Sequence, residues 1–212
     1  MKKGLIFDMD GTLWDSSANV ARSWTEQLRR LGHLHLPPIK QQDIMNVMGL
    51  TMDKIADIIF NSFPQEKRME LLEQCCQYEN KYLIRHGGVL YPELEPTLHR
   101  LRQTYHLYIV SNCQKGYIEA FLDHYQLAGY FDDTECYGNN LKEKGDNIAL
   151  VVKRNGLDRA YYIGDIQGDY DAAQKAGIGF IHAAYGFGTI QQKVPELQAF
   201  RDLPELLQTL DK

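Results

Sequence analysis

The segment Gly4-Leu5-Ile6-Phe7-Asp8-Met9-Asp10-Gly11-Thr12 is a short apolar run that ends abruptly in two carboxylates and a Gly-Thr pair. A run this short and this apolar suits a strand buried on both faces. Residues two apart on extended backbone point the same way. Asp8 and Asp10 therefore project together from the strand's carboxyl end, where open α/β sheets hold their ligands. At about 4 Å and an effective dielectric near 20 their repulsion is on the order of 4 kcal/mol, which calls for a cation or a shared proton. Mg²⁺ is the cation that suits an all-oxygen site beside a phosphate.

Working outward, similar apolar runs recur at Leu107–Val110, Tyr161–Ile163 and Gly179–Ala183. Between them lie segments of helical period, at about Glu93–Gln103, Gly116–Tyr125, Asp146–Asn155, Gln167–Ala176 and Leu203–Leu210. Strands alternating with helices predict a Rossmann-like α/β fold, a parallel sheet with helices on both faces. The stretch from about Ser16 to Leu90 breaks the rhythm. Asp15-Ser16-Ser17 can cap a helix over Ala18–Leu31, Thr51 can cap Met52–Asn61, and Pro64 opens a long helix to about His86. No strand is evident there, so the expectation is a core domain of residues 1–15 and 88–212 with a small α-helical cap domain of residues 16–87.

Two further strand ends are polar. Gly164-Asp165-Ile166-Gln167-Gly168-Asp169 offers two carboxylates that can converge on one cation, although Asp169 also has the position of a plain helix cap. Ser111-Asn112 offers a hydroxyl and backbone N–H groups to an anionic oxygen. Lys144 precedes a predicted helix and can supply a compensating positive charge, with Lys142 as the alternative. Carboxylates, a cation, a hydroxyl and a lysine on neighbouring strand ends form a phosphoryl-transfer site. That reaction needs a nucleophile, an acid/base and donors for the phosphoryl oxygens together.

In this order the motifs resemble those of the haloacid dehalogenase superfamily, and within it the phosphoglycolate-phosphatase-like enzymes with a helical cap after the first motif. Asp8-Met9-Asp10-Gly11-Thr12 looks like the first motif, Ser111 the second, Lys144 the third, and Gly164-Asp165 with Asp169 the fourth, over nearly the whole chain. The resemblance implies Asp8 as nucleophile and Asp10 as acid/base. It implies Asp8, Asp165, Asp169 and the Asp10 carbonyl around Mg²⁺, and Ser111, Asn112 and Lys144 on the phosphoryl group. Relatives have Lys-Pro at the third motif, whereas Lys144 is followed by Gly145. True dehalogenases lack an acid at the position of Asp10, so dehalogenation is disfavoured.

The implied activity is Mg²⁺-dependent hydrolysis of a small phosphorylated metabolite. A phosphomutase or a phospho-ligand-binding protein is the alternative, and the general acid Asp10 argues against a pure binder. In the cap, Met48-Gly49-Leu50-Thr51-Met52 sits where relatives carry a substrate loop, which nominates Gly49 and Thr51. Arg22, Trp24, His33, His35, Lys54, Arg85 and His86 are the other cap groups that can reach a cleft. His182 and Tyr185–Gly188, after the last apolar run, can rim the site.

Composition fits this reading. The 212 residues are 44% hydrophobic and 24% charged, as in soluble globular chains, which excludes disordered and repetitive architectures. With 23 basic and 28 acidic residues the formal charge is -5, which disfavours a nucleic-acid partner. No run approaches the roughly 20 apolar residues of a membrane span, and no secretory leader is evident. The four cysteines lack metal-ligand spacing and read as reduced thiols. A cytoplasmic monomer or homodimer is expected.

Overall fold

Lys3–Phe7 (β1) is the hub of the fold. It is paired in parallel on one side with His106–Ser111 (β4) and on the other with Arg159–Gly164 (β6), with Leu5 opposite Leu107 and Tyr161. The computed structural model describes residues 1–211. Its main sheet has six parallel strands in the order β5-β4-β1-β6-β7-β8, with Asp133–Cys136 (β5), Gly179–Ala183 (β7) and Glu196–Leu197 (β8) completing it. Two-residue strands Trp14–Asp15 (β2) and Val89–Leu90 (β3) pair separately and antiparallel.

Alternation along β1 sorts the core into two layers. Leu5 and Phe7 join the layer formed with Leu94–Leu101 (α5), Tyr117–Tyr125 (α6) and Leu203–Leu210 (α10). Ile6 joins the opposite layer with Lys144–Asn155 (α8) and Gln167–Ala176 (α9). The sheet is thus covered on both faces, as the apolar runs require. The short helix Tyr137–Asn140 (α7) links β5 to α8.

The insertion after β1 folds as four helices, Ser17–Arg30 (α1), Gln41–Met45 (α2), Met52–Ile59 (α3) and Gln65–His86 (α4). Ser16 stands at the N-cap of α1, and Asp15 just before it accepts the first helical N–H, that of Ser17, at 2.9 Å. At its far end Gly87 adopts a φ of 63°, which side-chain-bearing residues rarely take, and there α4 stops and the chain turns back. The outgoing and returning chains lie side by side as the β2–β3 ribbon, a strand pair absent from the sequence expectation. Trp14 anchors this ribbon, its ring edge-on to Tyr117, Phe121 and Tyr125 at 5.7, 5.0 and 6.1 Å between centroids.

Candidate active site

Because β4, β1 and β6 are neighbours, their carboxyl ends bring Ser111, Asp8 and Asp165 together. The Asp8 N–H donates to the Ile163 carbonyl at 2.9 Å, extending the ladder by one residue and aiming the carboxylate off the end of the sheet. Asp8 is 3% exposed, and Ser111 beside it is also buried. Asp165 is given room by Gly11, whose φ of 80° and missing side chain matter here. A Cβ on Gly11 would stand 2.1 Å from Asp165 Oδ2. The same oxygen accepts the Phe187 N–H at 2.7 Å, and His182 Nε2 lies 3.2 Å from the Asp165 carbonyl. His182 near the end of β7 and Phe187 in the turn after it thus both lie against Asp165.

Lys144 begins α8, two residues earlier than the sequence suggested, and runs inward. Its Nζ donates to Asp8 Oδ1 at 3.0 Å and to Asp169 Oδ1 at 2.6 Å. Lys142 is exposed and engaged through its backbone with Asn140 and Asn147, so the geometry favours Lys144. Asp169 serves two ends at once. Its other oxygen, Oδ2, accepts the Asp165 and Ile166 N–H groups at 3.0 and 3.1 Å, capping α9.

Three buried carboxylates face one ammonium. Burial pushes Asp8 above its ordinary value, Lys144 pulls it down, and Asp169 pushes it up again. Asp165 is raised well above the carboxylate range by burial and by the charges of Asp169 and Asp8. Burial opposes the charge on Lys144, but Asp169 and Asp8 outweigh it and raise the lysine. Oxygens of Asp8, Asp165 and Asp169 all lie within 4.8 Å of one another. A hard divalent cation fits that donor set, since it would bind oxygen ligands and compensate the excess negative charge.

Asp10 stands apart from this cluster. Its Oδ1 accepts the Ser16 hydroxyl at 2.7 Å, and the Tyr117 hydroxyl lies 2.9 and 2.8 Å from its two oxygens. Burial raises it to about 7 despite the hydrogen bonds from Ser16 and Tyr117, with Asp8 and Asp15 adding to the rise. A carboxyl that titrates there can both give and take a proton near neutrality.

A cavity of about 50 Å³ lies between Asp10, Ser111 and Asn112 on the core side and Trp24, Ile44 and Glu79 on the insertion side. Gly49 lines it, and its carbonyl accepts Asn112 Nδ2 at 2.9 Å. Thr51 does not line it and stands at the N-terminal cap position of α3. Of the other insertion residues nominated from sequence, Trp24 alone reaches the cavity. Arg22, His35, Lys54, Arg85 and His86 are exposed elsewhere, and His33 packs on Phe63 at 5.1 Å. Arg22 misses because it lies across α1 from the buried stripe of Val20, Trp24 and Leu28.

Sequence reasoning missed Tyr117 and Glu79. Tyr117 belongs to no motif. Glu79 was legible, since Leu72, Cys75, Cys76, Glu79 and Leu83 repeat at helical spacing on the buried face of α4, and a charged residue in such a stripe is anomalous.

The fold is that of an α/β enzyme with a helical insertion, and the acidic cluster lies at its strand ends. The chain belongs to the haloacid dehalogenase-like hydrolase family, whose profile matches residues 5–183. It is 26% identical over 213 residues to a phosphoglycolate phosphatase of Aquifex aeolicus, covering 96% of this chain and 95% of that protein. It is also 26% identical over 200 residues to the phosphoglycolate phosphatase of Aliivibrio fischeri, covering 87% and 85%. A haloacid dehalogenase-like hydrolase from Streptococcus pneumoniae superposes with a TM-score of 0.78 at 22% identity, over 99% of this chain and 97% of that one. That last likeness concerns the fold. Among the described residues no helix is long and apolar enough to cross a membrane.

Proposed function

We propose that this hydrolase is a Mg²⁺-dependent phosphatase that cleaves a small phosphate monoester through a phosphorylated Asp8. The observation that carries the reading is the buried Asp8 carboxylate, held 3.0 Å from Lys144 at a strand end, with the separately hydrogen-bonded Asp10 two residues on. The names of the curated relatives support it.

In the first step an Asp8 oxygen attacks phosphorus. The bond from phosphorus to the alcohol oxygen breaks, and that oxygen takes its electron pair and the proton of Asp10. In the second step Asp10, now ionised, takes a proton from water as the water oxygen attacks phosphorus. The bond to Asp8 breaks, phosphate leaves, and the carboxylate is restored. Ser111 and the Asn112 backbone hold phosphoryl oxygens together with Lys144, which also offsets the charge around Asp8. Asp8, the Asp10 carbonyl and Asp165 would hold Mg²⁺. Asp169 would join them directly or through water, and it also fixes Lys144 and the loop that carries Asp165. When bound, the ion would supply charge neutralisation for the phosphoryl oxygens.

Residues 16–87 act in this reading as a cap whose closure excludes bulk water from the acyl phosphate. The test is phosphate release from acetyl phosphate with and without Mg²⁺. Metal-dependent release supports the reading, and release that is indifferent to Mg²⁺ and chelator overturns it.

A further inference from the structure

One ionisable group in the cavity has no part in this chemistry. Glu79 is 2% exposed, its Oε2 accepts the Trp24 indole N–H, and its Oε1 accepts Gln114 Nε2 at 3.0 Å. The carboxyl is therefore pinned from both sides, once by the insertion and once by the core, and it borders the space beside Asp10. Burial raises it to about 8, against the hydrogen bonds from Trp24 and Gln114. Burying a carboxyl among apolar side chains is costly, and a partner from the ligand would offset that cost.

The remaining wall from the insertion is apolar, made by Val20, Ile44, Val47, Met48, Leu50 and Ile55. Among the described residues no lysine, arginine or histidine lines the cavity. An alcohol bearing a carboxylate would bring a negative charge against this apolar wall with no cation to receive it, in surroundings where an unpaired charge is heavily penalised.

We propose that Glu79 selects the leaving group, and that the substrates are amino- or hydroxy-alcohol phosphates whose terminal donor is received by Glu79, and not phosphate esters that carry a carboxylate, such as phosphoglycolate. The inference rests on the phosphatase reading above and departs from the substrate for which the relatives are named.

Three esters of matched size test it: 2-aminoethyl phosphate, 2-hydroxyethyl phosphate and phosphoglycolate, with acetyl phosphate as the reference for phosphatase activity itself. Both donor-bearing esters are expected to exceed phosphoglycolate in kcat/KM by about tenfold or more. Phosphoglycolate equal to or better than either would overturn the proposal while leaving the phosphatase reading intact. Silence on all four compounds would remove that reading and the proposal with it. In Glu79→Gln, the preference for 2-aminoethyl phosphate over phosphoglycolate should fall by about tenfold. An unchanged ratio would take Glu79 out of substrate selection. The ranking in the wild-type protein stands as a test even if that variant does not fold.

Discussion

Lys144 holds two buried carboxylates at once, and removing one partner of such a group leaves uncompensated charge inside the protein. Lys144→Met should therefore cost about 3–5 kcal/mol in urea unfolding as well as activity. Asp165 is the opposite case. It is raised by burial and by two like charges, so Asp165→Asn should raise the melting temperature of the metal-free protein. The same variant should lose most of the further rise that Mg²⁺ gives the wild type, by linkage of binding to folding. Calorimetry with and without Mg²⁺ reads both effects, and an undiminished Mg²⁺-dependent rise in the variant would remove Asp165 from the metal site. Tyr117 holds both oxygens of Asp10, and its hydroxyl also meets Ser16 at 2.7 Å. Tyr117→Phe should lower kcat by about tenfold with KM little changed, the cost of one charge-assisted hydrogen bond to a group that in the proposed mechanism acts only in the chemical steps.

Among the elements, α4 carries a charge in its apolar stripe, and this gives a pH dependence whose sign is fixed. Glu79 binds its proton more tightly folded, at about 8, than at the ordinary value of 4.5. Its contribution to stability is thus fully present below about 4.5 and is lost as pH rises toward 8, at about 1.4 kcal/mol per pH unit. Glu79→Gln should gain on the wild type as pH rises through that window, measured by urea unfolding at several pH values. A constant difference between the two proteins would contradict the assignment. The central strands were legible because each is buried on both faces and reads as an uninterrupted apolar run. Asp133–Cys136 was not, because this edge strand has Asp133 and Glu135 held by Arg154 at 2.5 and 2.7 Å, and so shows no apolar pattern. The two-residue ribbon and the four- and five-residue helices are too short to leave any period.

At the scale of the whole molecule, the chain's two crossings at β2–β3 set a helical insertion over the strand ends, and hydrogen bonds join the two parts around the cavity. Asn112 reaches Gly49 at 2.9 Å, Asn80 reaches the Lys115 carbonyl at 2.9 Å, and Gln114 reaches Glu79. The gathering of Asp8, Ser111, Lys144 and Asp165 was legible because they lie at the ends of recognisable strands or the start of a helix, in a fixed order along the chain. The insertion's contribution was not, since its cavity wall is assembled from apolar faces that look like ordinary core and from one glutamate 71 residues beyond Asp8. The central claim is a covalent phosphoryl group on Asp8. Acid quenching during steady turnover of acetyl phosphate, followed by mass spectrometry of the peptide carrying Asp8, tests it directly. The account predicts a phosphate-mass adduct on Asp8 that needs Mg²⁺, with Asp8→Asn folded but inactive and free of adduct. Turnover by Asp8→Asn at the wild-type rate, with no adduct on either protein, would contradict it.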